Sequence, residues 1–353
     1  MIRVAACITI SVLSNVQPAA AQGGGVIHID TVNAPSLRNN RLGDSHRRGA
    51  SIYLPPGYWN RPYRKYPVIY LLHGFAANDR AFIRGAYQNL NIRISMDSLI
   101  RAGAAREMIV VTPNARNAYE GSFYANSPLT GNWEDFIVRD LVEHMDRKYR
   151  TIRSRAGRGI AGHSMGGYGA LRIAMNHPDR FSAVYSLSAC CLTVDSTAAD
   201  RNAWRAAQKI TGRSDFMQAG FHAHLKIAQA AIYAPDTTRA PLGVRFPYMV
   251  DGDSLVMEAA TLDRWNAATP LALVTAKAEN LRRVAIAFDA GNTDGFPDIP
   301  LNAMALDSLL TRLGISHEFE IYDGTHGSRI RERIETKLLP FFSRHLGRAR
   351  PGG

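Results

Sequence analysis

Residues 159–174, GIAGHSMGGYGALRIA, decide the fold of this chain because they set a serine between a strand pattern and a helix pattern. Their centre is a G-x-S-x-G pentapeptide in which Gly162 and Gly166 flank Ser164. The pentapeptide alone is common, but the apolar run before it and the small residues after it make it specific. Such a turn strains the serine backbone and exposes its hydroxyl, while the glycines remove Cβ atoms that would clash. The segment predicts a nucleophile at a helix start, where the helix dipole favours negative charge.

The segments around this turn alternate between strand and helix patterns. Continuous apolar runs bounded by Gly or Pro at residues 68–74 and 108–114 predict strands buried on both faces. Further strands are predicted at residues 157–164, 181–189, 282–291 and 317–324. Helical patterns occupy residues 88–103, 132–149, 165–178, 301–313 and 331–346. Two runs within residues 26–54, VIHIDTV and ASIYL, predict a first β-hairpin. The alternation predicts a mostly parallel central sheet with helices on both faces, and the G-x-S-x-G turn between a strand and a helix makes this an α/β-hydrolase fold.

One stretch departs from this alternation. Residues 192–281 have no strand rhythm and contain scattered aromatic residues, so we predict a helical cap inserted over the active site. The cap belongs to a single α/β-hydrolase catalytic domain, residues 22–346. The last residues, 347–353 (GRARPGG), are expected to form a disordered tail.

The beginning of the chain has the pattern of a secretory signal peptide, residues 1–21. A basic residue, Arg3, precedes an apolar run at residues 4–16, and small residues end at Ala21. The run is too short to span a bilayer comfortably, so we expect no integral membrane anchor. The sequence predicts a secreted or periplasmic protein after cleavage near Ala21.

Composition and charge exclude several other classes. The chain is 46% hydrophobic and 20% charged, which is typical of a globular protein, and its formal net charge is +12. The cations are scattered without a basic tract or zinc-finger spacing, so no nucleic-acid partner is expected. Cys190 and Cys191 are adjacent and cannot staple a fold, and we interpret them as small apolar side chains at the end of a buried strand. No metal or organic cofactor is required by the chemistry below.

A serine nucleophile needs a base and a carboxylate that orients the base, in the order Ser, acid, His along the chain. His326 follows the last predicted strand and precedes the closing helix, where the base belongs. The loop after strand 282–291 offers Asp289, Asp294 and Asp298 as the acid. Asp294 is preferred because it lies on the loop, free to reach His326, and Asp289 is kept in reserve.

Other polar residues near these segments receive structural interpretations. Asp323 is expected to form a turn, His317 to be structural, and His73 and His163 to brace loops. His222 and His224 lie in the cap and could touch substrate, but a solvated or capping role is preferred for them.

The tetrahedral intermediate needs two backbone N–H donors, each worth roughly 3 kcal/mol. Met165, directly after the nucleophile, supplies one donor. The second is expected from the loop after the first core strand, LLHGFAAND, with Phe75 as the best candidate.

Five segments resemble the esterase D-like family, which includes S-formylglutathione hydrolases, feruloyl esterases, enterochelin esterases and mycolyltransferases. They are IYLPPGYWNRPYRKYPVIYLLHGF, SFYANSPLTGNWEDFIVRDLVEHMDRKY, GIAGHSMGGYGALRIAMNHPDRF, FDAGNTDGF and YDGTHG. The resemblance implies that the second Asp of D-x-G-x-x-D, Asp294, is the triad acid and that Phe75 and Met165 are the oxyanion donors. It also implies that SFYANSP lines the acyl pocket, so that Tyr124 contacts substrate. The cap has no counterpart that we can align.

These observations predict an exported serine carboxylesterase that acts on a small-molecule or glycan-linked ester through an acyl-enzyme. An acyltransferase that replaces water by a sugar or another alcohol would use the same site. A binding protein that has lost catalysis is the third hypothesis, and the complete set of Ser164, Asp294 and His326 argues against it. The acyl group, the alcohol and the oligomeric state stay open at this point.

Overall fold

The computed structural model describes residues 23–194 and 201–347. The predicted signal peptide, residues 1–21, lies outside the described residues, as do residues 348–353 of the predicted tail. Gly347, which was assigned to that tail, instead donates its N–H to the carbonyl of Ala156 at 2.7 Å.

The described residues contain a mixed, mostly parallel sheet and two small hairpins. In chain order the strands are β1 (Val26–Asn33), β2 (Arg47–Leu54), β3 (Val68–Leu72), β4 (Ile109–Pro113), β5 (Asn126–Ser127), β6 (Gly131–Asn132), β7 (Arg158–His163), β8 (Ala183–Leu187), β9 (Tyr248–Asp251), β10 (Ser254–Met257), β11 (Ala285–Gly291) and β12 (Glu318–Tyr322). The main sheet has eight strands in the order β1-β2-β4-β3-β7-β8-β11-β12. Strands β1 and β2 pair antiparallel, as the sequence predicts, and β2 pairs antiparallel with β4. All pairings from β4 onward to β12 are parallel.

Helices occupy the predicted positions, with shifted ends. In chain order they are α1 (Ile92–Arg101), α2 (Trp133–Asp135), α3 (Val142–Lys148), α4 (Met165–Asn176), α5 (Arg201–Gln208), α6 (Arg213–Gln218), α7 (Phe221–Tyr233), α8 (Ala259–Ala268), α9 (Pro270–Leu273), α10 (Ala278–Arg282), α11 (Asp298–Arg312), α12 (Ile330–Arg333) and α13 (Leu339–His345). Two π-helical segments, Phe136–Leu141 and Ile334–Leu338, connect α2 to α3 and α12 to α13. Helix α1 begins later than predicted because the side chain of Asn91 accepts hydrogen bonds from the N–H groups of Arg93 and Ile94 and caps it.

Core residues lie on both faces of the sheet. Along β3, Val68, Tyr70 and Leu72 belong to one apolar cluster, while Ile69 and Leu71 belong to the other. This alternation follows from the period of two of a β-strand, and burial on both faces explains why the strand is uniformly apolar. The eight-stranded sheet with helices on both faces confirms the predicted α/β fold class.

The segment predicted as a cap, residues 192–281, holds helices α5 to α10 in its described part. It also contains a hairpin, β9 and β10, which the sequence analysis did not predict. The hairpin strands are four residues long and largely exposed, so their apolar alternation is weak. The helix α7 fastens this segment to the core through the Tyr233 hydroxyl, which donates to the Tyr168 hydroxyl at 2.8 Å.

Candidate active site

The predicted nucleophile sits in a strained turn at the carboxyl end of the sheet. Ser164 lies between the last residue of β7 and the first residue of α4, with φ 58° and ψ −118°. This left-handed region is costly for a residue with a side chain, and such strain concentrates at functional sites.

Close backbone approach explains the glycines on either side of Ser164. A Cβ atom on Gly162 would lie 2.4 Å from the backbone of Gly166, and one on Gly166 would lie 2.1 Å from the carbonyl oxygen of Leu72. Both contacts are with backbone atoms that cannot rotate away. The turn therefore requires glycine at both positions.

The predicted base and acid are hydrogen-bonded to each other. The Nδ1–H of His326 donates to Oδ2 of Asp294 at 2.8 Å. The other carboxylate oxygen of Asp294 accepts from the N–H of Phe296 at 2.9 Å, so both oxygens are held. The Asp294 side chain is fully buried while the His326 side chain is 20% exposed. This arrangement fixes the His326 tautomer in which Nε2 is free to accept a proton.

Backbone hydrogen bonds join the loops that carry these two residues. Asn292 donates its N–H to the carbonyl of Tyr322 at 2.9 Å, and Thr293 donates to the carbonyl of Gly324 at 3.0 Å. A Cβ atom on Gly291 would lie 2.2 Å from the Gly324 oxygen. The parallel strands β11 and β12 are neighbours and end side by side. The loops that follow them therefore hold Asp294 and His326 next to each other.

Asp289, the alternative candidate for the acid, lies within strand β11 and not on the loop that follows it. Its Oδ2 accepts from the Tyr185 hydroxyl at 2.6 Å and from two nitrogens of Arg333 at 2.9 and 2.8 Å. It is buried below the carboxyl end of β11, where it anchors the closing helical segment to the sheet. The geometry therefore favours Asp294 over Asp289 as the partner of His326.

His163 links the nucleophile turn to the base. Its Nε2–H donates to the backbone carbonyl of His326 at 2.9 Å, and the two rings lie 4.7 Å apart between centroids. Burial lowers the pKa of His163 to about 3, so the ring stays neutral. A hydrogen bond from the Ser164 hydroxyl to His326 is not present among the described residues. Catalytic contacts of this kind are often long without substrate and tighten in the complex.

The predicted oxyanion donors, Phe75 and Met165, lie close to Ser164. Phe75 lines the same cavity as Ser164, and Met165 follows Ser164 in the chain. The amides next to Phe75 are occupied, because Gly74 donates to the Tyr87 hydroxyl and Ala76 donates to the carbonyl of Glu120. In the described part of the chain the N–H of Phe75 has no such partner. The N–H of Met165 belongs to the first turn of α4, where helix donors lack intrahelical acceptors.

His73 braces the loop that carries Phe75. Its Nδ1–H donates to the carbonyl of Gly74 at 2.8 Å, and its Nε2 accepts from the N–H of Ala115 at 3.0 Å. The acceptor role of Nε2 requires the neutral ring, and burial lowers the pKa of His73 to about 4.

The structure corrects the role expected for Tyr124. Its side chain is 0% exposed, and its hydroxyl donates to the carbonyl of His73 at 2.8 Å. The ring packs where a Cβ atom on Gly169 would lie 2.5 Å away. Tyr124 therefore supports the loop that carries Phe75 from below, and its side chain is not part of the wall of the cavity beside Ser164.

A cavity opens beside Ser164. Its walls are mainly apolar, and they include Phe75, Cys190, Cys191, Phe221, Leu225 and Phe296. The enclosed part measures about 40 Å³, and about 530 Å³ is empty when the open space at its mouth is counted. Since roughly 10–15 Å³ on the smaller measure admits one water, the enclosed part accepts a group of a few heavy atoms.

Sequence reasoning missed several residues of this cavity. Cys190 and Cys191 are buried as expected, but they also form its wall. His222 lines it and packs on Phe296, whereas His224 stacks on the Phe216 ring and contacts the Phe216 carbonyl. Two polar residues on α7, Lys226 and Gln229, line it as well. Their signal was present, since both interrupt the otherwise apolar pattern LKIAQAAIY.

His317 is structural, since its ring nitrogens contact Asp307 and the carbonyl of Ile315. Within residues 23–194 and 201–347, no cluster of three or more His, Cys, Asp or Glu side chains could hold a metal ion. In the same ranges, no helix combines the length and apolarity needed to cross a membrane.

Comparison with known proteins begins with a family model described as "Putative esterase", which matches residues 42–330. An esterase of Mycobacterium tuberculosis is 33% identical over 144 residues, which make up 40% of this chain and 28% of that protein. An endo-1,4-β-xylanase/feruloyl esterase of Xylanibacter ruminicola is 29% identical over 141 residues, 37% of this chain and 18% of that protein. The chain thus spans less than a third of the length of these curated relatives.

Among solved structures, a ferulic acid esterase is similar with a TM-score of 0.63 and 24% sequence identity. The match covers 92% of this chain and 99% of the other. The likeness therefore extends over most of the chain and supports the α/β-hydrolase fold.

Proposed function

Because the chain belongs to the esterase family of α/β-hydrolases, we propose that it hydrolyses carboxylic esters through a triad of Ser164, His326 and Asp294. The hydrogen bond between His326 Nδ1–H and Asp294, at the end of the sheet where the strained Ser164 turn lies, carries this proposal. A buried carboxylate in this position stabilises the imidazolium that forms when the base takes a proton.

In the first half of the reaction, the Ser164 oxygen bonds to the ester carbonyl carbon and its proton passes to His326 Nε2. The N–H groups of Phe75 and Met165 donate to the oxyanion. The bond from carbon to the alcohol oxygen then breaks, and the alcohol leaves with the proton from His326.

In the second half, water attacks the acyl-enzyme and gives a proton to His326. The bond to Ser164 breaks, the serine oxygen regains the proton, and the carboxylic acid leaves. Acyl transfer would differ only in that another alcohol replaces water in this half.

We further propose that the protein acts outside the cytoplasm, on the strength of the signal-peptide pattern of residues 1–21. The relatives named as feruloyl or ferulic acid esterases make hydroxycinnamoyl esters one class to test. The small enclosed cavity favours short acyl groups as the other class.

The test uses purified protein with acetyl, butyryl, octanoyl and feruloyl p-nitrophenyl esters and a fluorophosphonate that labels active serines. We expect release of p-nitrophenol and one label on Ser164, both lost in Ser164→Ala. Ser214→Ala, an exposed cap serine, is the matched control and should keep both. If Ser164 takes no label and no ester turns over, the proposal is wrong. Added glucose separates transfer from hydrolysis, because transfer yields a glucose ester.

A further inference from the structure

An open groove lies between helix α6 of the cap and two loops of the core. Its walls include Arg41 from the loop between β1 and β2, Tyr119 and Glu120 from the loop that follows β4, and Arg213 and Phe216 of α6. The groove measures about 450 Å³, whereas the enclosed part of the catalytic cavity measures about 40 Å³. Ligand-binding clefts typically measure roughly 300–1,000 Å³, so the groove has room for a whole small molecule.

The wall of the groove is in contact with the oxyanion donors. Gly121 follows the groove-lining Glu120 in the chain. A Cβ atom on Gly121 would lie 2.4 Å from the Phe75 ring and 2.6 Å from the sulfur of Met165. The N–H of Ala76 donates to the carbonyl of Glu120 at 3.0 Å, which ties the same loop to the one that carries Phe75. The groove and the catalytic cavity are therefore neighbours.

The cap also connects the groove to the catalytic cavity. Met217 of α6 lines the groove, and Phe221, four positions later, lines the cavity. Phe221 packs edge-to-face on Phe75 with 5.4 Å between ring centroids. Met217 is 64% exposed and Phe221 is 45% exposed, so both present apolar surface to solvent. A ligand that leaves the mouth of the cavity along Phe221 reaches the groove.

The two parts of an ester need different spaces at this site. The acyl part stays bound to Ser164 after the alcohol has left, so it occupies the small enclosed part of the cavity. The alcohol part extends out of the mouth of the cavity. The groove is the larger, open space that adjoins this mouth, and it suits the alcohol.

The groove is positively charged. Arg41 and Arg213 line it, and both side chains are exposed. In the part of the chain that the structure describes, neither guanidinium has a hydrogen bond or an ion pair. In the same part, the one acidic side chain of the groove wall, Glu120, is already paired with Arg116, four residues before it. The two arginines therefore favour an anionic ligand.

The chemistry of the walls narrows the kind of anion. A guanidinium keeps its charge, and its planar N–H groups match a carboxylate with two parallel hydrogen bonds. The rest of the wall is partly apolar, with Leu242 and with the rings of Tyr119 and Phe216, whose centroids are 5.6 Å apart. A ligand that suits both features carries carboxylates on a compact ring. Uronic acids are sugars of this kind, and their hydroxyls form esters.

We propose that the groove binds the alcohol part of the ester and that this alcohol is a carboxylate-bearing glycan, an inference that rests on the proposed esterase function. Its carboxylates accept hydrogen bonds from Arg41 and Arg213 while its esterified hydroxyl places the acyl group at Ser164. A neutral glycan occupies the same space but leaves both guanidinium groups without a partner. The substrate class is thus acyl esters of acidic glycans.

The experiment compares acetylated trigalacturonate with its carboxyl-reduced form, acetylated galactotriose, which has the same linkages and no charge. Release of acetate gives kcat/KM for each. For the wild-type protein we expect the acidic ester to be favoured about tenfold, because charged hydrogen bonds are stronger than neutral ones and these are exposed. Arg41→Met and Arg213→Met should each reduce the ratio, and the double variant should bring it close to one. Arg312→Met, the same change at an exposed arginine of α11, should keep the wild-type ratio.

Salt provides a second measurement on the wild-type protein alone. Exposed charges are screened as the ionic strength rises, so the preference should fall between about 50 and about 500 mM NaCl. A preference that depends on shape alone would not change with salt.

Each outcome supports or overturns the glycan subsite. A wild-type ratio of one or below overturns it without needing any variant to fold. A ratio that is insensitive to salt, that survives the double substitution, or that Arg312→Met lowers equally overturns it too. When Ser164 takes the fluorophosphonate label and p-nitrophenyl acetate turns over but neither glycan ester does, only the subsite is wrong. When the label fails and no ester turns over, the esterase function is wrong, and the subsite falls with it.

Discussion

The turn around Ser164 and the cap helix α7 line the same cavity, yet they are held in place by different means. Backbone atoms fix the turn, because Gly162 and Gly166 leave no room for a Cβ atom. Side-chain packing fixes α7, most of whose apolar residues from Ala223 onward are buried and whose Tyr233 hydroxyl contacts Tyr168. Backbone contacts admit one geometry, whereas packed side chains tolerate substitution. The comparison indicates that the reacting groups are rigidly placed while the cavity wall can vary.

The largest expected effect concerns the acid that orients the base. Asp294→Asn should lower kcat by about 10⁴-fold, because the amide no longer holds His326 in the tautomer that accepts a proton at Nε2. Steady-state hydrolysis of p-nitrophenyl butyrate measures the loss. Asp323→Asn, an exposed aspartate three residues before His326, should keep wild-type rates. Equal rates for Asp294→Asn and wild type would remove Asp294 from the triad.

The other aspartate near this edge should affect stability instead of chemistry. Asp289→Asn leaves the buried Arg333 with only the partly exposed Glu320 as its ion-pair partner, and we expect the free energy of unfolding to fall by about 3 kcal/mol. Urea unfolding followed by fluorescence measures the change, and the folded fraction should still hydrolyse esters. A stable but inactive Asp289→Asn protein would reverse the roles assigned to the two aspartates.

The turn around Ser164 is held by backbone contacts and the cap by side-chain packing. A glycine-to-alanine substitution in each region tests this difference. Gly166→Ala places a Cβ atom 2.1 Å from the Leu72 carbonyl oxygen, whereas a Cβ atom on Gly212 in the cap meets nothing within 4 Å. We expect Gly166→Ala to lower the free energy of unfolding by about 3 kcal/mol and Gly212→Ala to change it little. Similar losses at both sites would show that the turn is no more constrained than the cap.

The smallest expected effect is a pH dependence that comes from the brace of the oxyanion loop. His73 has its pKa lowered to about 4 by burial, against a usual value of about 6.5. The native state therefore binds fewer protons than the unfolded state between these pH values, so this stabilisation is complete above pH 6.5 and decreases as the pH falls to 4.

His73→Gln removes this titration. The difference in unfolding free energy between wild type and His73→Gln should shrink by about 1.4 kcal/mol per pH unit as the pH falls through that window. Urea unfolding at pH 7, 6 and 5 tests the slope, since the other titrating groups are common to both proteins. A difference that does not vary with pH would mean that His73 titrates normally in the native state.

Much of the fold was predictable because its signals are local. The core strands β3 and β4 are apolar along most of their length and the covering helices are periodic, so these elements could be assigned from their own residues. Helix ends were less predictable, as at α1, where the Asn91 cap moved the start. The hairpin of β9 and β10 was missed because its short, exposed strands leave little apolar pattern.

In the candidate site, too, the residues marked by a local sequence signal were predicted, and those placed by tertiary packing were not. Ser164 follows from a pentapeptide in its strand and helix context, and His326 follows from its position after the last strand. The choice between Asp294 and Asp289 could be argued from loop position, and the observed bonds of each carboxylate agree with it. Tyr124 was predicted to contact substrate, but its side chain is buried against His73. A motif predicts that a loop lies near the site but not which way a side chain on that loop points.

The sequence by itself determined the α/β fold, because hydrophobic periodicity marks its strands and helices, and it predicted Ser164 as the nucleophile from a turn that only glycine permits. The tertiary structure alone decided that Lys226 and Gln229 line the same cavity as Ser164. These residues are more than 60 positions away from the serine along the chain. Their meeting depends on how α7 packs over the sheet, and long-range packing of this kind leaves no pattern in the residues themselves.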